Sequence, residues 1–187
     1  MALGRIAHAI TFTDDVTTVG SATQLYPLGT LRMEETSLTV GVECYRYIKH
    51  NKGAGSVATA LGALGYRNKT VGSPWSILSD VSDTASGHAV GVYQSVVTDL
   101  TFAWVKTKGF QATLRKAQGS ALNWTNGAVL VAAPNASQDG MTKIVTVTTA
   151  SKVCTGNLKA ALQRIVGWAA STALSGTAVG KAYIDLE

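Results

Sequence analysis

Charge is scarce in this chain of 187 residues, where Asp, Glu, Lys and Arg make up only 14%. An average soluble domain carries roughly 25%. Helices draw on Glu, Lys and Arg for their solvent faces, so the deficit argues against a helical protein. Long apolar runs are missing as well, and none approaches the ~20 residues that a membrane-spanning helix needs. The opening Met1-Ala-Leu-Gly-Arg holds no continuous apolar segment and Thr11 to Thr18 is polar, so no secretory signal is expected. Cysteine occurs only at Cys44 and Cys154, far apart and without a CxxC partner. In a protein made in the cytoplasm, that spacing reads as isolated thiols rather than a disulfide. The Asn-x-Ser/Thr sequences at Asn68, Asn123 and Asn135 then carry no glycan.

What fills the space is small and β-branched: Thr, Ala, Val and 19 glycines, with 46% hydrophobic residues in all. Such a chain is too apolar to stay disordered. At this length it can bury roughly 70% of its unfolded surface without a disulfide or metal staple. One domain is expected, with or without an appended arm. Sixteen Lys and Arg against eleven Asp and Glu leave a net charge of +5. The densest basic groups are Arg46, Lys49 and Lys52, then Lys106, Lys108, Arg115 and Lys116. They read as a mildly basic surface that keeps the protein soluble or meets an acidic partner. A phosphate track is the alternative.

Along the chain, residues 1–24 are irregular and Thr-rich, with Asp14-Asp15 and Gly20-Ser21 breaking any period. They read as an extended N-terminal arm able to reach ~66 Å, or as terminal disorder. Residues 25–187 read as a single β-rich domain. Thr39 to Lys49 is a strand with Tyr45 and Tyr47 on one face and Val42, Cys44 and Ile48 on the other. Ser56–Leu64 is expected to form a turn or two of helix, and residues 67–88 a long polar loop. Ala89–Val97 and Leu100–Thr107 are strand-like. A turn at Lys108-Gly109 then makes residues 100–115 a hairpin, because Phe110, Ala112 and Leu114 alternate with polar neighbours. Strands follow at Gly127–Ala133, Lys143–Thr149, Ile165–Ala169 and Gly180–Leu186, with a short helix at Asn157–Arg164. The expected fold is all-β, mainly an antiparallel barrel or sandwich with one or two short helices. Its expected core is Val42, Ile48, Phe102, Trp104, Val105, Leu114, Val129, Val131, Ile165 and Ile184.

Candidate chemistry is thin. Gly53-Ala-Gly55-Ser-Val-Ala58 has the spacing of a dinucleotide fingerprint, but the strand before it is not a buried apolar one and no βαβ alternation follows. His8, His50 and His88 stand at no metal-ligand spacing. Asp83, Ser86 and His88 lie too close in sequence for a relay, and neither they nor Cys154 has a nucleophile elbow. Asp14-Asp15 and Glu34-Glu35 are adjacent pairs that point to opposite faces. No catalytic, cofactor-binding or metal-binding residue is assigned, and the protein is not expected to be an enzyme. Tyr45, Tyr47, Phe102, Trp104 and Phe110 interleave with Arg46, Lys49, Lys106 and Lys108. They are the raw material of a stacking platform for single-stranded nucleic acid, or simply of a core.

Several segments in order carry a resemblance: Tyr26-Pro-Leu-Gly-Thr-Leu, Glu43-Cys-Tyr-Arg-Tyr-Ile-Lys, Phe102-Ala-Trp-Val-Lys-Thr-Lys-Gly-Phe-Gln-Ala, Arg164-Ile-Val-Gly-Trp-Ala-Ala and the terminal strand Ala182–Leu186. This order resembles the capsid decoration, or cement, proteins of tailed bacteriophages. The resemblance implies a β-rich virion protein on the outer face of an icosahedral shell. It would be added in many copies, often as trimers, and would stabilise the expanded shell. The implied partners are the major capsid protein and further copies of the chain, with no membrane, no cofactor and no catalytic residue, and with nucleic acid disfavoured. Synthesis would be in the host bacterial cytoplasm. Another virion role, such as a head-fibre base, connector or tail component, is the nearest alternative, followed by a single-strand-binding β-barrel.

Overall fold

The computed structural model describes residues 12–37, 41–52, 59–70, 72–80, 86–116, 123–124, 126–132, 141–144, 165–171 and 179–186. Within them lie ten strands and no helix: β1 (Leu31–Ser37), β2 (Gly41–His50), β3 (Leu64–Asn68), β4 (Ser76–Leu78), β5 (Ser86–Tyr93), β6 (Phe102–Arg115), β7 (Val129–Ala132), β8 (Thr142–Ile144), β9 (Ile165–Ala169) and β10 (Val179–Asp185). The chain is all-β, as its composition implies.

Five strands close on themselves. β2 pairs with β4 in parallel, β4 with β3, β3 with β5, β5 with β6, and β6 returns to β2, all antiparallel after the first. Closure into a barrel leaves these strands without a free edge, which removes one route to edge-to-edge aggregation. β1 lies outside β2, and the second half of β6 carries an antiparallel extension in the order β10-β9-β7-β8.

Three apolar clusters follow from the two faces of these strands. Ile48, Ile77, Val90, Tyr93, Ala103 and Val105 fill the barrel. Leu64, Tyr66, Leu78, Ala89 and Val92 pack with Leu114, Trp124, Leu130, Val166, Ala169, Ala182 and Ile184, joining the barrel to the extension. Tyr45, Tyr47 and Trp104, on the opposite faces of β2 and β6, are covered by Val16 and Tyr26, with Phe12, Leu28 and Phe102 packed against them. The two-face division of β2 expected from sequence is therefore present. β10 alternates as well, with Ala182 and Ile184 buried. Residues 12–24 contribute Phe12 and Val16 to the third cluster and an antiparallel bridge from Ser21 to Phe102. The remainder of the expected arm, residues 1–11, lies outside the described residues.

Several local expectations differ. Lys108-Gly109 is not a turn: β6 runs unbroken for 14 residues. Gly109 takes φ +112, which L side chains rarely adopt, and a Cβ there would sit tightly, 3.2 Å from the Glu43 Cα. Opposite Cys44 and Tyr45, β6 advances from Lys108 to Lys106, which leaves Thr107 as a bulge. Bulge and glycine together bend the strand, so its first half pairs with β2 and its second with β10. Residues 67–88 are not one loop, since they contain the end of β3, all of β4 and the start of β5. Of Ser56–Leu64, the described part is irregular, with a turn at Leu61-Gly62 where Gly62 takes φ +77. The expected helix at 157–164 lies outside the described residues. Val42 and Val129, expected in the core, are 53% and 43% exposed, because they sit on uncovered strand faces. The Ile165 side chain lies outside the description.

Candidate functional site

β10 alternates strictly. Gly180, Ala182 and Ile184 face the core, while Val179, Lys181, Tyr183 and Asp185 face outward. Gly180 is small because Trp124 lies against it: a Cβ there would fall 2.3 Å from the indole ring. On the outward face, register decides what Tyr183 meets. It stands opposite Phe110 on β6 and Trp168 on β9, and Trp168 in turn stands opposite Val129 on β7. Four strands thus carry one straight row, Phe110–Tyr183–Trp168–Val129. Ring centroids are 5.5 Å apart for Phe110 and Tyr183, and 6.2 Å for Trp168 and Tyr183. Trp168 is 47% exposed and Tyr183 39%. Lys108 and Asp185 form a half-exposed ion pair of 4.0 Å at its rim. In water such a pair contributes little. A smaller apolar patch, Leu31, Met33 and Val42, is exposed on β1 and β2.

Large aromatic rings held side by side on a rigid sheet are costly to leave in water and lose little conformational freedom on contact. Tyr and Trp of this kind are what protein interfaces use as central anchors. The row has the residue types of such an anchor, held in one line by strand register.

The stacking platform expected around Tyr45 and Tyr47 is not a surface. Tyr45, Tyr47 and Trp104 are at most 3% exposed. The Tyr47 hydroxyl accepts the Leu25 N–H at 3.1 Å. The Tyr45 hydroxyl donates to Glu43 Oε2 at 2.6 Å, and Lys106 Nζ donates to Glu43 Oε1 and to the Phe110 carbonyl, both at 2.8 Å. Burial, and then the bond to Glu43, push the Tyr45 hydroxyl far above the ordinary tyrosine range. Lys106 is thus an internal cation. Of the other basic residues, Arg46 lies over the Trp75 ring and Lys49 over Phe102. Only Phe110 among the expected aromatics joins the exposed row.

The acidic pairs are occupied separately. Asp14 accepts from the Tyr26 hydroxyl at 2.7 Å and from Trp104 Nε1 at 2.8 Å, and Arg32 donates to its main-chain carbonyl at 2.6 Å. Hydrogen bonds from Thr17 to Asp15 hold that carboxyl below the usual aspartate range. Glu34 pairs with Arg32, and Glu35 is exposed. His50 is buried with its Nδ1 2.8 Å from the Tyr93 hydroxyl, and burial lowers its pKa. His88 is exposed on β5. Cys44 is buried. His8, Gly53–Ala58, Asp83 and Cys154 lie outside the described residues, as does the Ser86 side chain. Among the described residues no three His, Cys, Asp or Glu are grouped to hold a metal ion.

The row was not legible in the sequence, where Gly180–Leu186 reads simply as a strand. The signal was the presence of aromatic residues on the outward side of two short strands. What joins them to Phe110 and Val129 is register with β6 and β7, which lie far away in sequence. No protein-family model matches the chain, and no curated protein does either.

Proposed function

We propose that the protein is a structural virion subunit that binds the outer surface of an icosahedral phage capsid and stabilises the expanded shell. The observation that carries this reading is the outward Phe110–Tyr183–Trp168–Val129 row, in which all but the half-buried Phe110 are exposed. It supports a role in holding another protein surface, and the order of segments along the chain supplies the class. The major capsid protein is the partner, with further copies of the chain completing a trimer. One such row gives modest affinity by itself. Repeated over a lattice and within an oligomer, modest contacts become tight attachment. A net charge of +5 adds attraction to an acidic shell. Burial of Tyr45 and Tyr47 takes away the platform on which the nucleic-acid alternative rested.

The test is co-sedimentation with purified expanded shells of a Trp168→Ala/Tyr183→Ala variant. Both side chains are substantially exposed, so folding is expected to survive. Occupancy should fall at least about tenfold, the loss of one or two anchor residues. Full occupancy by a folded variant would remove the row from the mechanism.

A further inference from the structure

The five-stranded barrel has a basic mouth. Its interior is closed by Ile48, Ile77, Val90 and Val105. Side chains of a strand return to the same face every second residue. The next inward positions toward one end are therefore Arg46 on β2, Trp75 just ahead of β4, His88 on β5 and Thr107 on β6. β3 supplies Arg67, two residues beyond Gly65, whose own inward side meets Ile77 and Tyr93. Register makes these positions converge: β2 and β4 are parallel, and the other pairs are antiparallel in the sense that brings Arg67, Trp75, His88, Thr107 and Arg46 to the same end. Together with Pro74 and Leu186, they line a cavity of about 300 Å³.

Its chemistry is one-sided. Arg46 is held in place, its guanidinium 5.2 Å from the Trp75 ring centroid and one N–H donated to the Gly29 carbonyl at 3.1 Å. Arg67 and His88 are exposed and have no hydrogen-bond or ion-pair partner among the described residues. No carboxylate stands among the described lining residues. Two guanidiniums stay charged at any working pH, and each offers a planar fork of donors that matches an oxyanion. A phosphate monoester carries about −1.5 to −2 at neutral pH, which balances the two arginines. A single carboxylate would leave one uncompensated.

We infer that the barrel mouth is a binding site for a phosphate group, with Arg46 and Arg67 holding its oxygens and a ring N–H of His88 as a further donor. The cavity is larger than a bare phosphate ion, and Pro74 with Trp75 gives it an apolar wall for the organic part of a monoester. The site shares no lining residue with the aromatic row and does not depend on the virion reading.

Isothermal titration calorimetry of the full chain at low ionic strength, with inorganic phosphate and with adenosine 5′-monophosphate as probes, tests this. Saturable one-site binding of at least one probe is expected, weakened at least about tenfold in Arg67→Ala. That side chain is exposed and has no partner among the described residues, so the variant should melt at the parent temperature. Tighter binding of the nucleotide would identify a phosphorylated small molecule as the ligand type, and equal binding the free ion. No saturable binding of either probe up to about 10 mM, or binding untouched by Arg67→Ala, would overturn the assignment.

Discussion

Lys106 shows how far a residue's neighbours can override its type. In the sequence it belongs to a basic group and reads as surface. In the fold its strand is covered on both faces, and the ammonium is enclosed by Glu43, the Phe110 carbonyl and the Tyr45 ring. Removing one partner of a buried pair strands the other, at a cost of about 3–5 kcal/mol. Lys106→Ala should therefore lower the urea-unfolding free energy by that order. An unchanged midpoint would mean that the pair is hydrated in solution. His50 gives a pH prediction with a definite sign. Burial lowers its pKa from the usual 6.5, so the folded chain holds it neutral while the unfolded chain takes up a proton. Stability should be level above about pH 6.5 and fall below it, by at most ~1.4 kcal/mol per pH unit for one proton. Denaturation at about pH 7.5 and about pH 5.5 checks this, and His50→Gln should flatten that part of the slope.

Elements were legible where alternation is local. β2, β9 and β10 announce themselves through the residues on their own two faces. β1 and β3 were not read as strands, and two further elements were hidden for plain physical reasons. β4 is three residues long, too short for any period to show, and is held by strands on either side of it. β6 looked like a hairpin because Lys-Gly is turn chemistry. Its length instead comes from two successive partners and a bulge, which only the folded chain supplies. Residues 12–24 are the third lesson. A Thr-rich opening reads as an arm, yet Asp14 bonds Tyr26 and Trp104 within an apolar cluster. Deleting residues 2–20 would strip Phe12, Asp14 and Val16 from that cluster. The truncated chain should melt at a lower temperature, with red-shifted tryptophan emission as Trp104 meets water. Asp14→Ala should reproduce part of the loss, about 2–3 kcal/mol for the charged hydrogen bonds. An unaltered melting curve in both would mean that this packing is dispensable.

For the whole molecule, composition was enough to indicate an all-β fold, but not the closed circuit or the row on its extension. Both depend on register between strands that are distant in sequence, such as β2 with β6 and β6 with β10. The same fold separates two surfaces by chemistry: an aromatic row on the extension and a basic mouth on the barrel. The first fits attachment to a protein lattice, and a lattice role has a consequence that a minor component lacks, namely copy number. Peptide mass spectrometry on density-purified particles, normalised to the major capsid protein, measures it directly. A lattice-covering subunit should give a ratio near one to one or a simple fraction of it. A trace ratio would contradict the cement role in favour of a connector or tail component, and complete absence from the particles would contradict the virion reading altogether.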